Sequence, residues 1–239
     1  MNNSFEILNW DSDFFNFKVA KINAINSKEV FQVLLEELKQ LDVKLVYCFA
    51  KPFSFEDNVL KEYSALLVDE KVTYARIIDE DEGDVPEVNI HVYSEVVVSD
   101  KMLDIAIQTS EHSRFRVDPN FQNEEFKKLY YQWVKNAVEN RKDGELFTYE
   151  EGETLKGLIY LKEVSEKIGS ISLIGVDQSS RGEQIGTKLI NQSLSYFKRK
   201  NINEIQVVTQ KQNVLACNFY EKNNFNLIDT VNVFHIWIG

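Results

Sequence analysis

The chain has 239 residues, 44% hydrophobic and 12% aromatic, enough apolar material for one large domain or two modest ones and unlike a disordered chain. Its formal net charge of −11 argues against a general nucleic-acid binder, because phosphate backbones are held by clustered Lys and Arg. An anionic substrate would need a local basic patch set against that field.

The first residues, Met1 to Ile7, lack the charged start and apolar run of a signal peptide. No apolar stretch reaches bilayer-spanning length, so a cytoplasmic protein with no membrane insertion is expected. Phe5–Leu8 and Phe17–Ile25 read as strands around a polar turn at Asp11–Asp13. Lys28–Leu41 places Val30, Val33, Leu34, Leu38 and Leu41 at helical spacing. Val43–Ala50 is a short apolar run expected to be a buried strand, Phe55–Ser64 a helix, and Leu66–Ile78 a further β segment. The acidic run Asp79–Glu87, with Gly83 and Pro86, reads as a linker. It divides the chain into a smaller N-terminal α/β domain, 1–85, and a second domain, 86–239.

In the second part, Asp100–Glu111 reads as a helix after Ser99, and Ser113–Phe121 as a loop carrying Arg114, Arg116 and Pro119. Asn123–Arg141 is an amphipathic helix. Glu145–Tyr149, Leu155–Leu161 and Lys167–Val176 follow as an antiparallel meander with short polar turns. Then come a helix at Glu183–Lys200, a strand at Glu204–Gln210, a helix at Asn213–Asn223 and a last strand at Phe225–Trp237. The order of this half is ααβββαβαβ.

The informative segment is 171–190, ISLIGVDQSSRGEQIGTKLI. An apolar strand ends at Val176, a tight polar loop follows, and an amphipathic helix begins near Gly182. The first turn of a helix leaves backbone N–H groups unpaired, and its dipole favours an anion there. Gly182 and Gly186 lack a Cβ, so backbone can approach a phosphate, and Arg181 adds positive charge. The same glycines would equally serve an ordinary strand–loop–helix turn. The Gly-Lys-Ser/Thr ending of a Walker loop and the GxGxxG fingerprint are both missing.

This segment resembles motif A of the GCN5-related N-acetyltransferase (GNAT) superfamily, Gln/Arg-x-x-Gly-x-Gly/Ala, in the form Arg181-Gly182-Glu183-Gln184-Ile185-Gly186. Gln184 stands where the first motif glycine usually lies. The ααβββαβαβ order matches as well. Asn213 followed by Tyr220 and Phe225 resembles motif B, in which an Asn opens a helix and a Tyr lies two turns on. Trp10 to Phe15, Ser113 to Arg116 and Tyr131 to Val138 are similar to the dTDP-fucosamine acetyltransferase family.

The resemblance implies a GNAT fold: α/β (α+β), a mixed, mostly antiparallel twisted sheet flanked by helices, with the smaller N-terminal domain. It implies acetyl-CoA as donor and no metal. Ile174, Gly175 and Val176 would line the pantetheine arm, with a backbone N–H near Val176 polarising the thioester carbonyl. Arg181, Gly182, Gln184, Ile185, Gly186 and Thr187 would hold the pyrophosphate. Asn213 would serve as cap and pantetheine contact, and Tyr220 as the acid that protonates the departing thiolate. Tyr220 as plain core is the competing reading. Arg114 and Arg116 suit a sugar-nucleotide diphosphate and Phe115 a base, against solvated surface arginines; Tyr131 is expected to face the acceptor cleft.

Cys48 and Cys217 read as reduced core thiols, and Cys217, without a nearby His in sequence, reads as a small hydrophobe rather than a nucleophile. His91, His112 and His235 sit in no supporting motif, and no general base is assigned. The expected activity is N-acetylation of a nucleotide-linked 4-amino-4,6-dideoxy sugar for surface polysaccharide synthesis, by direct transfer. The alternatives are a GNAT enzyme for another amine (protein N-terminus, polyamine, antibiotic) or a non-catalytic acyl-CoA-binding module. A homodimer is compatible with the sequence, although no motif specifies one.

Overall fold

The computed structural model describes residues 4–79, 87–139 and 143–238. The N-terminal half runs β1 (Phe5–Ile7), α1 (Asn9–Phe15), β2 (Lys18–Ile22), α2 (Lys28–Gln40), β3 (Val43–Ala50), α3 (Phe55–Glu62) and β4 (Leu66–Ile77). There follow β5 (Ile90–Val92), α4 (Asp100–Gln108), α5 (Arg114–Val117), α6 (Glu125–Glu139), β6 (Glu145–Glu151), β7 (Thr154–Glu163) and β8 (Ile168–Val176). A 3-10 turn at Gln178–Ser180 leads into α7 (Ile185–Arg199), β9 (Glu204–Gln210), α8 (Val214–Lys222) and β10 (Asn226–Trp237).

Three helices start where a serine can cap them. Ser27, Ser54 and Ser99 each accept a hydrogen bond from the backbone N–H three residues on, at 3.2 Å in all three cases. Two elements differ from the sequence expectation. Residues around Asp11–Asp13 form helix α1 rather than a turn, since the Ser12 hydroxyl donates to Leu8 O (2.7 Å) and accepts from Val19 N (2.9 Å), fastening α1 to β2. Arg114–Val117 is a single helical turn inside what reads as a loop. The expected linker falls on residues outside the described ones, apart from its ends Asp79 and Glu87.

The described strands form one sheet in the order β1-β2-β3-β10-β4-β9-β8-β7-β6-β5. β2–β3 and β8–β9 are parallel and the other pairs antiparallel, including the β6–β7–β8 meander. β4 lies between β9 and β10, so a strand from 1–85 is hydrogen-bonded on both sides to strands of 86–239.

Period-two alternation sorts the core onto the two faces. On one face, Phe31, Leu34 and Leu38 of α2 with Val59 and Leu60 of α3 pack on Val46, Cys48 and Phe234. On the same face, α7 and Tyr220 of α8 pack on Val72, Tyr74, Ile159, Ile205 and Val207. On the other face, α4 and α6 cover Leu146, Leu158 and Tyr160. Phe14, Phe15, Phe115 and Phe121 gather there over Tyr47 and Trp237. Among the described residues no helix is long and apolar enough to cross a membrane.

Candidate active site

The site begins with two parallel strands that part. β8 and β9 pair only from Ile168↔Glu204 to Ile171↔Val207, although β8 continues to Val176 and β9 to Gln210. The cause is local. β8 carries an extra residue, Ser172, relative to β7, because Tyr160 pairs with Leu173 and Leu161 with Ile171. A bulge bends its strand and ends regular pairing. Beyond it, Ile174, Gly175 and Val176 on one arm and Val208 to Gln210 on the other present backbone groups to a slot. Such edges accept an extended, amide-bearing ligand as if it were a strand. Gly175 itself is close-packed against α4: a Cβ there would lie 2.8 Å from Ile105 and 3.1 Å from Thr109. Its missing side chain therefore admits helix α4.

The residues expected to hold the pyrophosphate lie where β8 runs into α7. Asp177, buried, fixes the turn: its Oδ1 accepts from Ser179 N (3.0 Å), and its other oxygen pairs with Lys101 of α4. Those partners hold its carboxyl below the usual carboxylate range, the Lys101 contact foremost. Gln108 Oε1 accepts from Gln178 N at 2.8 Å, a second tie between α4 and the loop.

Gly182 has φ +91° and open space where a Cβ would be, and Gln184 sits at φ 61° as the residue before α7. That left-handed position explains why a glycine is the usual motif residue and what Gln184 costs. The N–H groups of Ile185, Gly186 and Thr187 precede the first intrahelical bond, Lys188 N to Gln184 O (3.1 Å). Arg181 is exposed beside them; its Nε donates to Val176 O at 3.4 Å, and it forms no ion pair among the described residues. The bare Cα of Gly186 meets the Phe219 ring of α8, 3.0 Å from a built Cβ, so this glycine packs α7 against α8.

Asn213 Oδ1 accepts from Ala216 N (3.1 Å), capping α8 and leaving its Nδ2 for a ligand. Tyr220, two turns on, is 4% exposed, with its ring against Tyr74, Phe219 and Phe225 at 5.4–5.9 Å between centroids. Burial pushes its phenol well above the ordinary value, so it is a protonated donor at neutral pH. Cys217 is half-buried, with Sγ 3.7 Å from Gln210 O. Cys48 is buried and its thiol is pushed up to about 12 by desolvation.

The residues expected at the acceptor are divided. The Arg114 guanidinium lies 4.3 Å over the Tyr47 ring and 4.6 Å over Phe115, with no ion pair among the described residues. Phe115 is buried in the aromatic cluster with Phe15, Tyr47, Phe121 and His235, so its ring is engaged in the core and not open to a base. Arg116 is exposed, 5.1 Å over Phe126. Tyr131 is on the exposed face of α6, whereas Tyr130 turns inward toward the Thr109 and Ser113 hydroxyls. Burial pushes the Tyr130 phenol up to about 12.

Two buried ionisable groups were given no role from the sequence, His235 and Asp69. His235 gives Nδ1···Asp118 Oδ2 of 2.7 Å, and Trp237 Nε1 donates to the same oxygen at 2.9 Å. Desolvation lowers the His235 pKa against the pull of Asp118. Asp69, on β4, is 8% exposed, and its Oδ1 has no hydrogen-bond partner among the described residues. Desolvation raises its carboxyl to about 7, moderated by Arg114. The one available signal was a charged residue inside each apolar run, Leu66-Leu67-Val68-Asp69 and Val233-Phe234-His235-Ile236-Trp237. A surface groove of about 590 Å³ on the outside of α2, lined by Gln32, Leu35, Glu36 and Tyr63, has no such convergent groups.

Comparison with known proteins bears on the fold and the family. Over 141 residues the chain is 22% identical to the spore coat polysaccharide biosynthesis protein SpsD of Bacillus subtilis (strain 168), covering 59% of this chain. It spans about half, 48%, of that relative's length. A GCN5-related N-acetyltransferase from Sphaerobacter thermophilus superposes with TM-score 0.62 at 13% identity, covering 98% of this chain and 76% of the other. A functionally unknown conserved protein from Staphylococcus epidermidis ATCC 12228 gives TM-score 0.61 at 9% identity, covering 91% and 83%. At these identities the structures establish a shared fold. The acetyltransferase (GNAT) family matches residues 106–225, half of the chain, from the end of α4 through the fork, the α7 cradle and α8. The chain therefore belongs to the acetyltransferase (GNAT) family.

Proposed function

We propose that the protein transfers acetyl from acetyl-CoA to the amino group of a nucleotide-linked amino-dideoxy sugar of the dTDP-4-amino-4,6-dideoxyhexose type, for surface polysaccharide synthesis. The donor half of this reading rests on the fork and cradle. Acetyl-CoA carries amides on its pantetheine arm and a pyrophosphate, matching the free edges of Ile174–Val176 and the N–H groups at Ile185–Thr187 beside Arg181. The thioester it brings is the activated acetyl group. Tyr220 supplies the proton for the leaving thiolate, and the transfer is direct, with no acyl-enzyme.

The acceptor half is carried by one observation: Arg114 is an arginine with no carboxylate in ion-pair range among the described residues, in a chain of strongly acidic composition. An unpaired guanidinium held against aromatic rings is suited to an anionic ligand such as a diphosphate. The relative named for spore coat polysaccharide biosynthesis lends the same direction. Arg116 and Tyr131, both exposed, would contact the nucleotide.

The test is thiol release from acetyl-CoA with a panel of dTDP- and UDP-linked 3- and 4-amino-6-deoxy sugars, beside a peptide amine and a polyamine. Turnover of one sugar nucleotide alone is the expected result. Turnover of a control amine alone would leave an acetyltransferase with a different acceptor. Tight donor binding without turnover of any amine would favour an acyl-CoA-binding module.

A further inference from the structure

We propose that Asp69 is the carboxylate that receives the acceptor's amino group and takes a proton from it before acetyl transfer. This assignment rests on the acceptor reading above and adds a catalytic group from outside the family segment, since β4 precedes residues 106–225.

Position comes first. Phe49, Val233 and Asp69 form one row across β3, β10 and β4. By alternation that row lies on the face opposite Val72 and Tyr74, the face on which α5 packs against β4. Val68 is an extra residue on β4, because Asp69 pairs with Val233 and Leu67 with Phe234. A bulge beside a functional residue is a common device for aiming it. A chain of neighbours joins Asp69 to the fork. Gly175 of β8 abuts Thr109, the Thr109 hydroxyl neighbours Tyr130, the Asp69 carboxyl acts on Tyr130, and Arg114 acts on Asp69.

Chemistry comes second. A carboxylate nine-tenths buried, with one oxygen unpartnered, is costly to fold and calls for a reason. The charged groups acting on it are Arg114 from α5 and Glu70 and Lys71 on its own strand, and its own charge reaches Tyr130 of α6. β10 offers Val233 opposite, and His235 on that strand is held by Asp118. None of them forms a hydrogen bond or ion pair with Asp69. An ammonium group supplies the missing partner, while Arg114, on the same face, takes the anionic part of the same ligand. With its carboxyl raised to about 7, Asp69 is matched to remove an ammonium proton near neutral pH. His235 Nε2 is also unpartnered, but it is enclosed by Tyr47, Phe115 and Phe121.

The proton account closes. The ammonium passes one proton to Asp69, and the freed nitrogen lone pair forms the N–C bond to the thioester carbonyl carbon. The C–S bond breaks with its electron pair on sulfur, which is protonated by Tyr220. The nitrogen's surplus proton leaves to water, and Tyr220 recovers one from water. Asp69 then releases the net proton of the reaction.

The experiment compares wild type with Asp69→Asn, using acetyl-CoA and dTDP-4-amino-4,6-dideoxygalactose. Steady-state kinetics are followed from pH 5.5 to 9, acceptor binding by calorimetry without acetyl-CoA, and folding by thermal melting. The expected loss in acceptor kcat/KM at pH 7 is about 100-fold, shrinking as pH approaches the amine's own pKa. Acceptor Kd weakens about tenfold, while the acetyl-CoA KM stays unchanged and melting is not lowered. Wild-type acceptor kcat/KM across the pH range would overturn the assignment. So would equal losses for donor and acceptor, the mark of a structural residue. Should wild type refuse the sugar nucleotide but acetylate a control amine, the nucleotide-sugar reading falls, and the same comparison on that amine decides Asp69. Should no amine bind or react with wild type, both fall.

Discussion

Replacing Asp69 by Asn also tests the electrostatics through stability alone. Burial, the largest cause, raises this carboxyl from 3.8 to about 7, so the folded chain holds a proton that the unfolded chain has released. Stability from this group is complete below the unfolded value and is lost as pH rises through the folded one. Between pH 5 and pH 7 the loss is about 1.36 kcal/mol per unit, or about 3 kcal/mol by pH 8. Asn is a neutral near-isostere and removes only this titration. The difference in unfolding free energy between variant and wild type should therefore move by about 3 kcal/mol in the variant's favour from pH 5 to pH 8. For a chain of this size that corresponds to a relative Tm change of roughly 6–12 °C. Paired thermal melts at the two pH values read it directly, since all other titrations cancel in the comparison. A difference that stays flat between pH 5 and 8 would refute the argument, showing that Asp69 is already solvated or paired with Arg114.

Three further outcomes are expected. Tyr220→Phe should lower kcat about 100-fold and leave acetyl-CoA affinity unchanged, measured by thiol release and calorimetry; unchanged kcat would make Tyr220 core only. Arg114→Ala should raise the acceptor KM at least about tenfold and leave the acetyl-CoA KM alone, because a charge-assisted contact to ligand is lost. Equal changes in both would remove Arg114 from the acceptor site. Gln184→Gly relieves a φ of 61° at the start of α7 and should stabilise the fold by up to ~1 kcal/mol, seen as a higher urea midpoint.

Local pattern was enough for most elements, and Val43–Ala50 and Glu204–Gln210 appear with the boundaries read from their apolar runs. The meander, the loop that opens α7 and the Asn213 cap were equally legible, since each depends on residues within a few positions of one another. Of two adjacent tyrosines, helical spacing grouped Tyr130 with Leu129, Val134 and Ala137, and Tyr130 is the buried one. Legibility fails where a remote partner decides. Asp-Ser-Asp in α1 has turn composition, and the helix exists because Ser12 and Val19 bond across and the Phe15 ring finds Phe17, Phe115 and Phe121. Gly175 and Gly186 read as room for a ligand, yet Ile105 and Phe219 occupy that room, side chains 70 and 33 positions away.

The insertion of β4 is the extreme case, and it bears on how the two halves work together. Its pairings, Lys71↔Gln210 on one side and Asp69↔Val233 on the other, span well over a hundred residues of chain, so no local signal announces them. Yet this strand borders β9 where β9 leaves β8, and so flanks one arm of the donor slot. A ligand pairing with β9 in the slot has β4 as its next strand but one. Tyr74, on one face of β4, meets the Tyr220 ring at 5.9 Å, and Asp69 lies on the other face of the same strand, toward α5. If the halves were joined only by a linker, their relative placement would vary by more than a proton transfer tolerates. Hydrogen bonding β4 on both edges removes that freedom: Asp69 is fixed by the same sheet that opens the fork, and Arg114 is held over β3 by the rings of Tyr47 and Phe115. On this argument, weakening the β4–β9 ladder should impair acceptor turnover before it impairs acetyl-CoA binding, because the cradle at α7 stands on β8 and not on β4.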